Sequence, residues 1–207
     1  MNAAPLKIKA HIRIADNRII WNNEPIYEGQ GTDFPTFIKQ AYKNIGTDYP
    51  KFFKMDNLSK LGFLAADIVL RNIIRDPEQE QNIALVFSNN ASSLDTDRKH
   101  QKSIQDGENF FPSPAIFVYT LPNIVLGEIS IKHMLHSENS FFIFSHFNAD
   151  YLYVYADSLI RTGKATEVLC GWVNYDNEDY EALVYLVSTE GTTPHTKEEI
   201  LKLYRTK

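Results

Sequence analysis

Few residues in this chain have the type and spacing to do chemistry. Ser145, His146 and Asp150 lie close together and supply the side-chain types of a hydrolase: nucleophile, base and orienting acid. A triad needs members that converge in space, and neighbours on one turn do not provide that geometry. His146 alone has two readings, a nucleophile or general base and a histidine packed at a helix start, and the second is the plainer. His133 and His136 stand three apart, a spacing that can present two ligands to a metal. They have no evident third ligand, and histidine near a helix C-terminus also suits the macrodipole. They are read as surface histidines, and no metal or other cofactor is expected. Cys170 is the only cysteine, so no intramolecular disulfide can form. It reads as a small buried hydrophobe on a strand rather than a reactive thiol. Asp95 and Asp97 close a polar stretch from Ser88 that reads as a solvated loop rather than a cation site. There is no glycine-rich phosphate loop.

These residues need elements to hold them. Leu6, Ile8, Ala10, Ile12 and Ile14 alternate with polar positions, which predicts a strand with one buried face. Asp16-Asn17 is a turn signal, with Arg18 to Trp21 returning as a second strand. Thr32 and Asp33 before Pro35 start a helix running to about Ile45. Met55 to Ile74 carries the clearest helical stripe, capped by Asp56 and closed by Asp76-Pro77. Ile83 to Phe87 and Phe141 to Phe144 are apolar throughout, as strands buried on both faces are. Residues 98 to 112 read as a charged helix or loop. Leu121 to Leu135 reads as a helix with Pro122 in its first turn, and Gly127 marks a place for close contact. Ala149, Leu152, Ala156 and Leu159 keep helical spacing up to Gly163. Val168 to Val173 and Ala182 to Val187 are strands joined at Asp176-Asn177, and Thr196 with Glu199 boxes a last helix to Tyr204. Strands alternating with helices point to an α/β layer structure on a mixed sheet.

The chain has 207 residues, with 43% hydrophobic and 23% charged, an ordinary balance for a globular protein that can bury its own core. A net charge of -5 without a basic patch argues against nucleic-acid binding. No apolar run reaches the roughly 18 to 20 residues of a membrane span, and Met1 to Lys9 has no apolar signal segment. With one cysteine, a cytoplasmic location is expected. Aromatic content is 13%, enough that part of it is expected at an interface with another protein.

Six blocks, in order, resemble the N-terminal half of β-ketoacyl synthases of the thiolase-like superfamily. They are Lys54 to Leu61, Asn82 to Asn90, Phe111 to Pro114 with Pro122 to Ile131, Ser137 to Ser140, Leu159 to Ala165, and Leu169 to Val173. The resemblance covers about residues 50 to 190 and implies a thiolase-like α/β fold, N-terminal half only, as one domain over 1-207. Counting back from Leu159-Ile160, the family's nucleophilic cysteine falls on His146, or on Phe147 with a one-residue slip. The family's two catalytic histidines belong to a second half that the resemblance does not reach, and His195 maps onto neither. Claisen condensation needs a thiolate to hold the acyl chain and donors for the thioester oxyanion. The resemblance therefore implies a pseudoenzyme: a non-catalytic partner resembling a chain-length factor in fatty-acid, polyketide or aryl-polyene type synthesis. The alternatives are an acyl transferase or hydrolase using His146, and a module binding acyl chains or an acyl carrier protein. Phe141, Phe142, Phe144 and Phe147 are candidates for an acyl pocket or an interface, and read equally as core or dimer contacts. The family dimerises through the strand leading into its nucleophile turn. The expected partner is thus a second copy or a complete ketosynthase, with acyl carrier protein as a further candidate.

Overall fold

A computed structural model describes residues 4–31, 33–108 and 110–206. The strands are β1 (Lys7–Ala15), β2 (Arg18–Trp21), β3 (Glu24–Glu28), β4 (Ile83–Asn89), β5 (Asn139–Ile143), β6 (Glu167–Asp176), β7 (Asp179–Ser188) and β8 (Thr193–Pro194). The helices are α1 (Phe34–Ile45), α2 (Asn57–Ile73), α3 (Leu94–Ile104), α4 (Pro114–Val118), α5 (Ile124–His133), α6 (Ala149–Arg161) and α7 (Lys197–Arg205). One mixed sheet runs β3-β2-β1-β7-β6-β4-β5, with β8 pairing β1. β4 is parallel to β5 and β6, while β6–β7 and β7–β1 are antiparallel.

Two helical layers cover the sheet. Leu85, Phe87, Leu169 and Val173 face α1, α2 and α5. Ala84, Val86, Val168 and Cys170 face α6 and α7. Period-two alternation sends neighbouring residues of one strand to opposite cores, which is why β4 is buried at every position. Along β1 the face changes at an irregularity between Ile8 and Ala10: Ile8 joins the second core, Ala10 the first.

α2 lies deepest. From Leu58 to Leu70 every residue except Lys60 is buried. Asp56 starts it, its carboxylate accepting from Ser59 N at 2.9 Å and from Thr96 Oγ1 at 2.7 Å. Gly62 lets α2 sit close to Val125 and Val173, where an added Cβ would meet their methyls at 3.0 and 3.3 Å. Asp33 caps α1 as expected, accepting from Thr36 N at 2.9 Å; Thr32 lies outside the described residues.

Several sequence expectations need correction. The stretch Ser88 to Asp97 is not a loop: Ser88 and Asn89 extend β4, and α3 begins at Leu94. Asp95 and Asp97 sit in the first turn of α3, one held by Lys99 and Asn57, the other by Ser93. The helix expected from Leu121 begins at Ile124, so Pro122 precedes it, and Gly127 has nothing within 4 Å of an added Cβ. β5 is a sheet edge rather than a strand buried on both faces. An apolar run at an edge looks like an interior strand because sequence alone does not say whether a neighbour lies beyond it. Strands β3 and β8 and helix α4 went unpredicted.

Candidate functional site

The turn between β5 and α6 carries the residues that the sequence singled out. Asn148 starts α6, its Oδ1 accepting from Tyr151 N at 2.9 Å. Ser145 and His146 stand just before it, both exposed, with Ser145 Oγ 2.9 Å from His146 Nδ1. Asp150 does not complete a triad. Its carboxylate is held by Lys197 Nζ at 2.6 Å, from α7. Beside the turn, at the carboxyl ends of β4 and β6, an open cleft of about 560 Å³ is lined by Ser145, Asn90, Asn174, Asn177, Asp176 and Asp179, with Ala91 and Leu94 as its apolar part. Asn174 Oδ1 shapes the rim by accepting from Asn90 N and Ala91 N at 3.3 and 3.1 Å. Arg98 of α3 ties to Asp176 across it.

The four phenylalanines do not line one pocket. Phe141 packs toward the α2–α5 core. Phe142 and Phe144 point to the other face and join Tyr151 and Tyr155 of α6 in an aromatic cluster. The Phe142–Tyr151, Phe142–Tyr155 and Phe144–Tyr151 centroid distances are 4.7, 5.3 and 5.1 Å. Tyr155 anchors the cluster by donating to Glu138 at 2.6 Å, and Lys164 lies 3.1 Å from the same carboxylate. Phe147 is core. It stacks on Tyr204 of α7 at 4.2 Å and meets Trp172 edge-on at 5.8 Å. Trp172 Nε1 and Tyr204 Oη both donate to Glu181 at 2.8 Å. Burial and then the Glu181 carboxylate push the Tyr204 hydroxyl up to about 12.

β5 presents an open backbone edge. Leu85 N donates to Glu138 O at 3.0 Å and Phe144 N to Asn89 O at 2.9 Å, so Ser140 and Phe142 bond inward to β4. Asn139, Phe141 and Ile143 therefore turn their N–H and C=O groups away from the sheet. Ile143, Tyr151 and Val154 add exposed apolar surface beside this edge. A second apolar surface comes from α4, which buries none of its residues, and its neighbours: Phe110, Phe111, Phe117, Val118 and Leu121 are all exposed, Phe111 at 76%.

The burial of three polar side chains, Glu128, His133 and His195, was not marked in the sequence. Glu128 of α5 is buried and takes Tyr49 Oη at 2.9 Å, Tyr119 Oη at 3.4 Å and Lys51 Nζ at 2.7 Å. His133 is not a surface histidine. It is buried with its Nε2 3.1 Å from Asp67 Oδ1, an ion-pair distance, while Thr47 Oγ1 donates to Asp67 Oδ2 at 2.9 Å. Burial would raise the Asp67 carboxyl, but the His133 and Thr47 contacts outweigh it and hold it below the usual range. His136 is exposed near Glu80, so the two histidines do not converge on a metal. Among the described residues no three metal-ligating side chains cluster. His195 is 5% exposed with neither ring nitrogen hydrogen-bonded. Cys170 is fully buried on β6 opposite Tyr185, and burial pushes its thiol up to about 12. The only sulfhydryl of the chain is thus inside the sheet, away from the turn that carries His146.

No protein-family profile and no curated protein matches the chain by sequence. Solved structures do match it. The ishigamide ketosynthase/chain length factor superposes with TM-score 0.67 at 16% identity, over 89% of this chain and 62% of that one. The structure of the ketosynthase ApeO in complex with its chain length factor ApeC, from Xenorhabdus doucetiae, includes a chain that matches with TM-score 0.59 at 14% identity, over 98% of this chain and 91% of that one. A β-ketoacyl synthase from Burkholderia phymatum STM815 matches with TM-score 0.59 at 11% identity, over 90% and 59%. The chain has the ketosynthase fold. It spans about three fifths of the first and third of these structures and nearly all of the second. Among the described residues no helix is long and apolar enough to cross a membrane.

Proposed function

We propose that this protein is a ketosynthase-like partner subunit, resembling a chain-length factor, that pairs with a catalytic ketosynthase and does not itself condense acyl groups. The observation that carries the reading is the β5–α6 turn: it holds an exposed imidazole, while the one thiol lies buried in β6 with its proton tightly held. A thioester-forming nucleophile has to be both ionised and reachable. Cys170 is neither, and His146 has no buried acid behind it, since Asp150 pairs with Lys197.

The open β5 edge supports the pairing. An unprotected edge strand with apolar neighbours is a template for another chain. Here the edge adjoins the Phe142–Phe144–Tyr151–Tyr155 cluster, and aromatic side chains are enriched where proteins associate. Among the matched structures is a ketosynthase in complex with its chain length factor. In this reading Phe142 and Phe144 serve the interface, and Phe147 serves the core.

The test is co-expression with a ketosynthase from the same genome. A stable complex on size-exclusion chromatography with light scattering, together with an altered product length or yield, supports the proposal. A chain that never associates, and whose deletion leaves products unchanged, sinks it. Thioester turnover by the isolated chain that disappears in His146→Ala establishes the enzymatic alternative instead.

A further inference from the structure

We propose that α7 is a releasable cover, hinged at His195, that opens over the floor of the β5–α6 turn when the His195 imidazole takes up a proton. The argument begins with what α7 covers. Tyr204 near its end stacks on Phe147, the residue following His146, and the helix itself buries only Ile200 and Leu203. Beyond those two side chains and the partly buried Leu201, its hold is concentrated at its ends: Lys197 pairs with Asp150 at the start, and Tyr204 meets Phe147, Glu181 and Arg13 at the finish.

At its start the chain is pinned by His195. The His195 amide donates to Leu6 O at 3.0 Å, and Thr196 then caps the helix, its Oγ1 accepting from Glu199 N at 3.3 Å. The imidazole is buried between α6 and β7, its centroid 5.1 Å from Tyr153 and 6.2 Å from Tyr185. Both ring nitrogens lack a hydrogen-bond partner. A neutral imidazole tolerates this at some cost. An imidazolium, with two charged donors, does not.

The groups facing His195 do little to accommodate a charge. From α6 come the Tyr153 phenol and Asp157, whose carboxylate already accepts from Arg161 at 2.8 Å. From β7 comes Tyr185, and from β6 Cys170, Tyr185's cross-strand neighbour, each with its proton held by burial. On α7 itself Lys197 is spent on Asp150, and Glu198 points to solvent. Burial drives the His195 pKa down to about 4, with Asp157 only partly opposing it. Once released, the imidazole returns to about 6.5. The folded value is the lower one, so closure is fully favoured above pH 6.5 and weakens as pH falls toward 4. Between pH 6.5 and 4.5 this linkage raises the open fraction roughly ten- to fortyfold.

Hydrogen exchange on the full chain, corrected for intrinsic rates, tests this. Protection of residues 197 to 205 is expected to fall at least about tenfold from pH 6.5 to 4.5, while residues 58 to 70 of α2 keep theirs. In His195→Phe the pH dependence of α7 is expected to vanish. A flat α7 profile in the unaltered protein overturns the proposal, as does loss that persists in His195→Phe or that α2 shares in step. If His195→Phe does not fold, the titration of the His195 ring by NMR decides: an apparent pKa near 6.5 in the closed protein is equally fatal.

Discussion

Phe87 of β4 lies against Gly171 of β6, its partner in the parallel register, so closely that a Cβ at position 171 would sit 2.8 Å from the ring. The contact sets how the two central strands carry α2, because the same ring would also lie 3.7 Å from a Cβ added at Gly62. Gly171→Ala is expected to destabilise the protein by about 1–3 kcal/mol through overpacking. Gly127→Ala is the control, since nothing lies within 4 Å there. A helical glycine replaced by alanine should gain about 0.5–1 kcal/mol. Denaturant titration of both variants checks the pair, and equal effects would show that the Phe87 contact is not what constrains position 171.

Asp67 and His133 join α2 to the end of α5 inside the protein. Asp67→Ala should cost about 1–3 kcal/mol, because it leaves the buried Thr47 hydroxyl without its acceptor and His133 without its neighbour. The folded carboxyl is held below its usual value, so its contribution is present above about pH 4 and lost as pH falls through the folded value. Asp67→Asn should therefore flatten the stability–pH curve below pH 4. Chemical denaturation between pH 2.5 and 7 measures it, and an unchanged acid limb would count against the pair.

Cys170 should be inert in the native state. With its thiol fully buried and pushed up to about 12, a disulfide reagent at pH 8 should label it only after unfolding in guanidinium. Rapid labelling of the native chain would contradict its placement on β6, and with it the premise that no thiol reaches the turn.

Ile143 is half exposed on the open edge of β5. Ile143→Lys should leave the stability of the isolated chain within about 0.5 kcal/mol while weakening association with a ketosynthase at least about tenfold, as a charge on an edge strand does. Calorimetry or light scattering reads it. Intact binding by this variant would move the interface away from β5, with the α4 surface around Phe111 and Phe117 as the next place to test.

His146→Ala should leave stability and partner binding unchanged, since the side chain is exposed and its one polar contact is to the adjacent Ser145. Thermal melts and the same association assay check this. A binding loss of more than about tenfold, or roughly 1.4 kcal/mol, would place His146 within the interface.

The order of elements and the fold class were written in local chemistry. Alternation in β1, the apolar run of β4, the Asp56 and Asp33 caps and the left-handed Gly163 each act over a few residues, and the chain spells them out. The single cysteine and the histidine before α6 were legible in the same way. What only the tertiary structure decided is who lies beside whom. Phe141 to Phe144 read as an interior strand, yet among the described residues no strand lies beyond it, and Phe147 belongs to a core closed by Tyr204, more than fifty residues later. Asp67 with His133, Glu128 with Tyr49, and the solitary His195 depend on long-range packing. Burial is a property of the assembled layers, and no local pattern encodes which polar side chain those layers will enclose.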